Sequence, residues 1–335
     1  MQKSIDKRKG RILLFVVGFI LLLISMTASV SVGASSITFS EVIQSLLNNG
    51  HSKEEMIIRS IRLPRAILGA LIGANLAIAG ALMQALTRNP LASPQIFGVN
   101  AGASLLVVAF IIFFPNIQPS SLVYAAFIGS ALGGGIVYTM ASIGGNLSPV
   151  RLALAGMSIH LFFSSITEGL IYFNEQSTET VLYWLAGSID GSQWADVTII
   201  LPWTLTGIIM AIIFSRSTTI FNLGEDIAKG LGQKIGFIRV VLGSTVVLLA
   251  GASVAVAGPI GFIGLMIPHI VRRFVGVDYR YIIPFSALFG AILLVSADVL
   301  SRFISYPFES PVGIVTALMG APFFLYLARK GGKAS

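Results

Sequence analysis

Gly261-Phe-Ile-Gly-Leu-Met-Ile-Pro-His-Ile-Val-Arg-Arg-Phe-Val275 is the stretch on which the fold turns. It follows an apolar run from Phe237 to Ala257 and the pair Gly258-Pro259. As a helix it would reach about 22 Å at ~1.5 Å per residue, short of a hydrocarbon core of about 30 Å. Pro259 and Pro268 interrupt it further. Whether it crosses a membrane or turns back decides the side on which everything after it lies.

Nine other apolar runs surround it, at approximately Ile12 to Val32, Pro64 to Leu86, Ile96 to Phe114, Leu122 to Ile143, Leu152 to Phe173, Val197 to Phe214, Phe237 to Ala257, Tyr281 to Arg302 and Pro311 to Ala328. Most are long enough to cross as helices, and only a helix or a closed barrel satisfies its own backbone in lipid. Composition agrees: 55% of the 335 residues are apolar and 11% are charged, against a usual charged share of about 25%. Charge placement settles the short run. With ten crossings and the N-terminus inside, 17 of the 22 Lys and Arg fall in cytoplasmic segments, leaving only Lys53, Arg59, Arg62, Arg65 and Arg302 outside. If the stretch turned back, Arg272, Arg273, Arg280, Arg329, Lys330 and Lys333 would move outside, against the positive-inside rule. The sequence therefore predicts an all-α, polytopic membrane protein of about ten transmembrane helices. It forms one domain over residues 1–335, with both termini cytoplasmic.

The first run, preceded by five basic residues and followed by small ones, also resembles a secretory signal peptide. Its apolar stretch of about 20 residues exceeds the usual 7 to 15 of a signal core, so retention is expected. In the second run Gly69, Gly73, Ala77 and Ala81 recur every four residues and line one ridge, where another backbone can approach. The alternative is that glycine is simply common in membrane helices. A faint repeat relates Leu76-Ala-Ile-Ala-Gly-Ala81 to Val254-Ala-Val-Ala-Gly-Pro259, in helices expected to run oppositely.

Several chemistries are excluded or lack support. With no cysteine there can be no disulfide, thiolate zinc site, iron–sulfur cluster or cysteine nucleophile. Three scattered histidines, His51, His160 and His269, do not suggest a metal cage, and neither a catalytic residue nor a cofactor is expected. Lys330-Gly-Gly-Lys-Ala334 lacks the spacing and hydroxyl of a phosphate-binding loop, so the chain is not expected to hydrolyse ATP. A net charge of +8 fits cytoplasmic loops better than nucleic acid. The span middles are nearly free of charge: Glu168 and Asp298 lie toward outer ends, and the central His160 reads as a packing residue rather than a proton relay.

Two surfaces stand out. The longest cytoplasmic loop, about 215–236, contains Asn222-Leu-Gly-Glu225, which fits a capping box with Asn222 as cap. Ile227 and Leu231 follow as an i, i+4 apolar edge, and Gly230 and Gly232 end the helix. Such a helix either packs on its own bundle or docks a cytosolic partner. At the opposite side Arg62 and Arg65 flank Leu63-Pro64, where both guanidinium groups are expected to project into water. Arg302 closes the ninth run, with Asp298 placed for a helical i, i+4 pair.

These residues resemble a known family, the permeases of ATP-binding-cassette importers for iron-siderophores, heme and cobalamin. The resemblance covers about Arg59 to Tyr326. It rests on Ile61-Arg-Leu-Pro-Arg65, Gly80-Ala-Leu-Met-Gln84 with Asn89-Pro-Leu-Ala92, and Asn222-Leu-Gly-Glu225 with Leu231-Gly232. Its most specific stretches are Ala257-Gly-Pro-Ile-Gly-Phe-Ile-Gly-Leu-Met-Ile-Pro-His-Ile270 and Pro311-Val-Gly-Ile-Val-Thr-Ala-Leu-Met-Gly-Ala-Pro322. Ser301-Arg-Phe-Ile-Ser-Tyr-Pro-Phe-Glu-Ser310 looks most like ferric-siderophore members from bacteria lacking an outer membrane.

The resemblance implies a permease in the bacterial cell membrane, working with a second, identical or paralogous permease and two cytosolic ATPase subunits. An extracytoplasmic substrate-binding protein delivers the ferric-siderophore. It assigns ATPase coupling to Asn222, Gly224, Glu225, Ile227, Ala228, Gly230, Leu231 and Gly232, and binding-protein docking to Arg62, Arg65 and Arg302. His269, in the Pro-His motif, takes a structural role. Pro149 and Val150 depart from the more polar pair expected at the inner constriction. The alternatives are a heme or cobalamin importer and, outside this class, a carrier or channel acting alone or a membrane scaffold.

Overall fold

The computed structural model describes residues 2–33, 52–114, 118–143, 149–174, 178–304 and 308–331. Its described elements are helical throughout. Helix α1 (Gln2–Ser31) is followed by a short α2 (Lys53–Ile57), a π-helical turn (Ile58–Arg62), α3 (Leu63–Thr87), a 3-10 turn (Pro94–Phe97), α4 (Val99–Phe113), α5 (Pro119–Ser142) and α6 (Pro149–Tyr172). Then come α7 (Thr178–Leu185), α8 (Trp194–Ile213), α9 (Ser215–Leu223), α10 (Glu225–Gly230), α11 (Ile235–Ala257), α12 (Ile263–Val275), α13 (Tyr279–Ile304) and α14 (Val312–Gly331). Seven are long and apolar enough to cross a membrane, and α4 and α14 are shorter apolar helices. With α12 these coincide with the ten runs read from the sequence.

Helix α3 is the axis of the bundle, packed by α8, α11, α12 and α13 and buried almost all round. It can be central because it carries no side chain at its two closest contacts, Gly73 and Gly80. A Cβ on Gly73 would stand 2.2 Å from the carbonyl oxygen of Gly290 in α13, and one on Gly80 would stand 1.9 Å from that of Gly264 in α12. Backbone thus meets backbone, the arrangement expected for the second run, with Gly80 as a second close approach that the four-residue ridge did not include.

The contact at Gly80 also sets the depth of α12. Gly264 is its second residue, and Gly80 lies seven residues before the end of α3, so α12 begins inside the bundle and covers about 20 Å. The 3-10 turn reaches the same level: Pro94 lies against Gly264, and Gln95 beside Gly261. Two segments that break the α-helical run, 88–98 with its 3-10 turn and 258–262, therefore enter the bundle, where such backbone is tolerated if it is covered by protein or lines a cavity.

A Gly80→Val change is expected to cost about 3 kcal/mol or more, since only movement of α12 can relieve an overlap with backbone. Membrane abundance and the thermal midpoint of the purified protein should both fall. A Gly230→Ala change, with nothing within 4 Å of the added Cβ, should leave both unchanged.

Candidate functional site

The two interrupted segments border a cavity of about 530 Å³. Gln95 and Asn100 come from the 3-10 turn and the start of α4, His160, Thr167 and Glu168 from one face of α6, and Leu185 and Pro259 from the end of α7 and the loop before α12. The lining is mostly apolar with these polar side chains set into it, the usual make-up of a space that takes a ligand. His160, read from the sequence as a packing residue, lies on the side of α6 that borders the cavity. The His160 and Glu168 side chains on that side are exposed while Thr167 is buried, and α6 packs on α3, α4 and α5. His269 instead packs edge-on to Phe323 at 5.9 Å. Of the segment before α6, Pro149 and Val150 open the helix, while 144–148 lie outside the described residues.

At one end of the bundle α9 and α10 form a bent pair. Phe221, Thr218 and Ala228 are buried against the bundle, whereas Leu223, Ile227 and Leu231 are 52% to 63% exposed. The capping box read from the sequence is absent. Asn222 belongs to the last turn of α9, and Gly224, at φ 137°, stands at the N-cap of α10 without a side-chain bond. Glu225 pairs instead with Arg239 of α11 and, at 3.4 Å, with Arg88 beyond α3. The predicted stop is present: Gly232 has φ 79°, its N–H donates to Lys229, and that of Gln233 donates to Ala228, a Schellman closure. Thr219 of α9 donates to Asp278 and receives the N–H of Tyr279, and Asp278 caps α13 by accepting the N–H of Arg280. The Arg280 guanidinium holds the Asp278 carboxyl below its ordinary range. The pair is thus tied to the ends of α3, α11 and α13.

At the other end, Arg62, Arg65 and Arg302 do not project into water; each residue is 6% exposed. The reason is that each has partners within the chain. Arg62 donates to the carbonyls of Val30 (2.8 Å) and Ser31 (2.9 Å), and Arg302 to those of Ser29 (2.7 Å) and Val32 (2.6 Å). These are the last carbonyls of α1, which a helix leaves unpaired and to which a cation is drawn. Arg302 also holds Asp298, the i, i+4 pair expected from the sequence. Arg65 grips Asp298 through Nε (3.0 Å) and Nη2 (2.7 Å), while its Nη1 reaches Asp190 (3.0 Å) and Glu309. Three arginines and three carboxylates make a formally neutral cluster, as buried charges require. Asp190 and Glu309 were not singled out in the sequence, because each sits in a loop more than a hundred residues from Arg65 and no local pattern connects them.

No described group of three histidine or acidic side chains is placed to hold a metal ion. What the three places offer is non-covalent: a mostly apolar space edged by polar side chains and reached by broken helices, a helix pair with an outward apolar edge, and a charge-balanced opposite end.

A family model of the FecCD transport family matches residues 21–330. The chain belongs to that family. The Fe(3+)-citrate import system permease YfmD of Bacillus subtilis is 55% identical over 332 residues, covering 99% of each chain. YfmE, a permease of the same organism also named for Fe(3+)-citrate import, is 39% identical and covers 98% of each. A solved structure of a metal-chelate type ABC transporter in an inward-facing conformation superposes with a TM-score of 0.84 at 28% identity, over 95% of this chain and 99% of that one. FecCD members are membrane permease subunits rather than enzymes, and this FecCD chain has the all-α fold of about ten transmembrane helices that its sequence predicted.

Proposed function

We propose that this chain is the permease subunit of an ATP-driven importer carrying ferric-siderophore complexes, ferric citrate among them, into the cytoplasm. The observation that carries the reading is the outward apolar edge Leu223, Ile227 and Leu231 on a helix pair whose inner side is tied to α3, α11 and α13. Force on that edge would reach the helices around the cavity. The iron-chelate names of its relatives favour this cargo over heme or cobalamin.

In this reading residues 215–236 and both termini face the cytoplasm, following the distribution of basic residues. Asn222, Gly224, Glu225, Ile227, Ala228, Gly230, Leu231 and Gly232 form the coupling element for one of two cytosolic ATPase subunits. A second permease covers the exposed faces of α6 and α14 and closes the cavity into a pathway. Because YfmD and YfmE are both named for Fe(3+)-citrate import, we favour a paralogous partner over a second copy. A substrate-binding protein docks at the Arg65 end. Its carboxylates would reach Arg62, Arg65 or Arg302 only by taking the place of partners these residues already have.

Reconstitution in proteoliposomes tests the reading. Ferric-citrate uptake should require ATP, the ATPase subunits and the binding protein together. Uptake by the permease in the absence of nucleotide would make it a carrier acting alone.

A further inference from the structure

The cluster around Arg65 is divided in a way that neutrality alone does not require. Asp298 is 1% exposed and takes Nε and Nη2, while Nη1 goes to two carboxylates whose side chains are 42% (Asp190) and 31% (Glu309) exposed. The inner half of the guanidinium is thus a fixed part of the bundle. The outer half joins two separate connections, the one between α7 and α8 and the one between α13 and α14.

The first of these connections borders the cavity. Leu185, the last residue of α7, lines it together with Pro259. Immediately after it, the carbonyl of Gly187 accepts the N–H of Gly313 at 2.9 Å, and the N–H of Ser188 donates to Ala257 at 2.8 Å. Asp190 is bound back to α7, since the Tyr183 hydroxyl donates to its Oδ2 at 3.3 Å and its Oδ1 takes the N–H of Gly191 at 2.9 Å. Residues 183–191 therefore form a strap across the cavity's edge. It is anchored on the central helix α3 by Ile189, which is buried in the core against Gly69, and its polar hold on that helix is the ion pair to Arg65, shared with Glu309.

We infer that Asp190 and Glu309, clasped by the outward half of Arg65, are a latch that keeps the strap closed over the outer mouth of the cavity. The inference rests on reading that cavity as the transport pathway. Contacts of partly exposed charges are individually weak and exchangeable, whereas the buried pair with Asp298 keeps Arg65 in place when they break. Opening the latch thus removes the strap's charged contact with α3 and loosens it around the anchors at Gly187, Ser188 and Ile189 without unfolding the bundle, the behaviour expected of a gating element with low local stability.

The chain has no cysteine, so Leu185→Cys gives one thiol on the cavity side of the strap. In the assembled importer without nucleotide or binding protein, its reaction with a bulky polar maleimide, read on this chain by mass spectrometry, reports opening. Asp190→Asn with Glu309→Gln should speed labelling about five- to tenfold, the combined effect of two weak charge contacts on a local opening. The thermal midpoint should fall far less than on loss of the buried Asp298, because both carboxylates are partly exposed. Asp190→Glu, which keeps the charge, should label about as slowly as the parent. If the double variant assembles poorly, Glu309→Gln alone should give a smaller acceleration. Labelling that does not change when the carboxylates are neutralised overturns the latch, whatever ferric-citrate uptake does. Accelerated labelling in an importer whose uptake proves independent of this cavity keeps the latch and rejects the pathway reading.

Discussion

Asp298→Ala is expected to remove most of the protein from the membrane. The carboxylate sits at 1% exposure between Arg65 and Arg302, and its loss leaves two neighbouring guanidinium groups buried with no charge between them. Breaking a buried ion pair by deleting one partner costs about 3 to 5 kcal/mol, a large share of the stability of an ordinary domain. Abundance should fall to about a tenth or less of the parent. Adding Arg302→Met should recover part of it, because an apolar side chain of similar length in place of an uncompensated charge is often neutral or better. Arg65→Lys should not be tolerated as a conservative change. One ammonium cannot reproduce the fork that reaches Asp298 with two nitrogens and Asp190 and Glu309 with a third. Membrane abundance and thermal midpoints measure all three. Normal abundance of Asp298→Ala would mean that water reaches the cluster and that it does not hold this end together.

The same cluster bears on the first helix, whose retention the sequence expected from the length of its apolar stretch. Arg62 and Arg302 bind the final carbonyls of α1, Gly18 lies against Leu288, and Arg11 donates to the carbonyl of Val275. These contacts fit a helix that belongs to the bundle.

The spans were legible because the length of an apolar run is set by the bilayer, a constraint that acts on each segment separately. The weak eighth run could be placed because basic residues record sidedness. Its short length had a cause that no local pattern contains, namely the meeting of Gly264 with Gly80 of α3, which fixes where the helix can begin. The capping box failed for a related reason. Asn222 and Glu225 have the right spacing, but the chain upstream was already helical, so the turn fell at Gly224, and Glu225 was drawn to Arg239 and Arg88. The rim arginines were found by their position as exceptions to the charge rule. Their orientation was set by α1 carbonyls and by acids on distant loops, contacts that only the folded chain brings together.

Ile227→Asp with Leu231→Asp is expected to abolish uptake while leaving the permease in the membrane. Helix α10 has six residues, too few to persist in water alone. Its shape is held by the burial of Ala228, the pairing of Glu225 with Arg239 and Arg88, and the closure at Gly232. None of these involves the two outward side chains, so their replacement leaves the fold its supports. What they offer is apolar surface to a partner. Burying what remains exposed of an isoleucine and a leucine is worth roughly 1 to 2 kcal/mol each, and each 1.4 kcal/mol is about tenfold in affinity. Association with the ATPase subunits should therefore weaken by about ten- to a thousandfold, with a desolvation penalty for the new carboxylates in addition. Gly230→Trp should act in the same direction. Its Cβ meets nothing within the chain, so the indole would stand on the surface proposed to dock the partner. Ala228→Asp separates this from simple damage, since a charge on the buried side should lower abundance as well as uptake. If the double variant still co-purifies with the ATPase subunits and transports ferric citrate normally, the edge does not face them, and coupling must enter the bundle elsewhere.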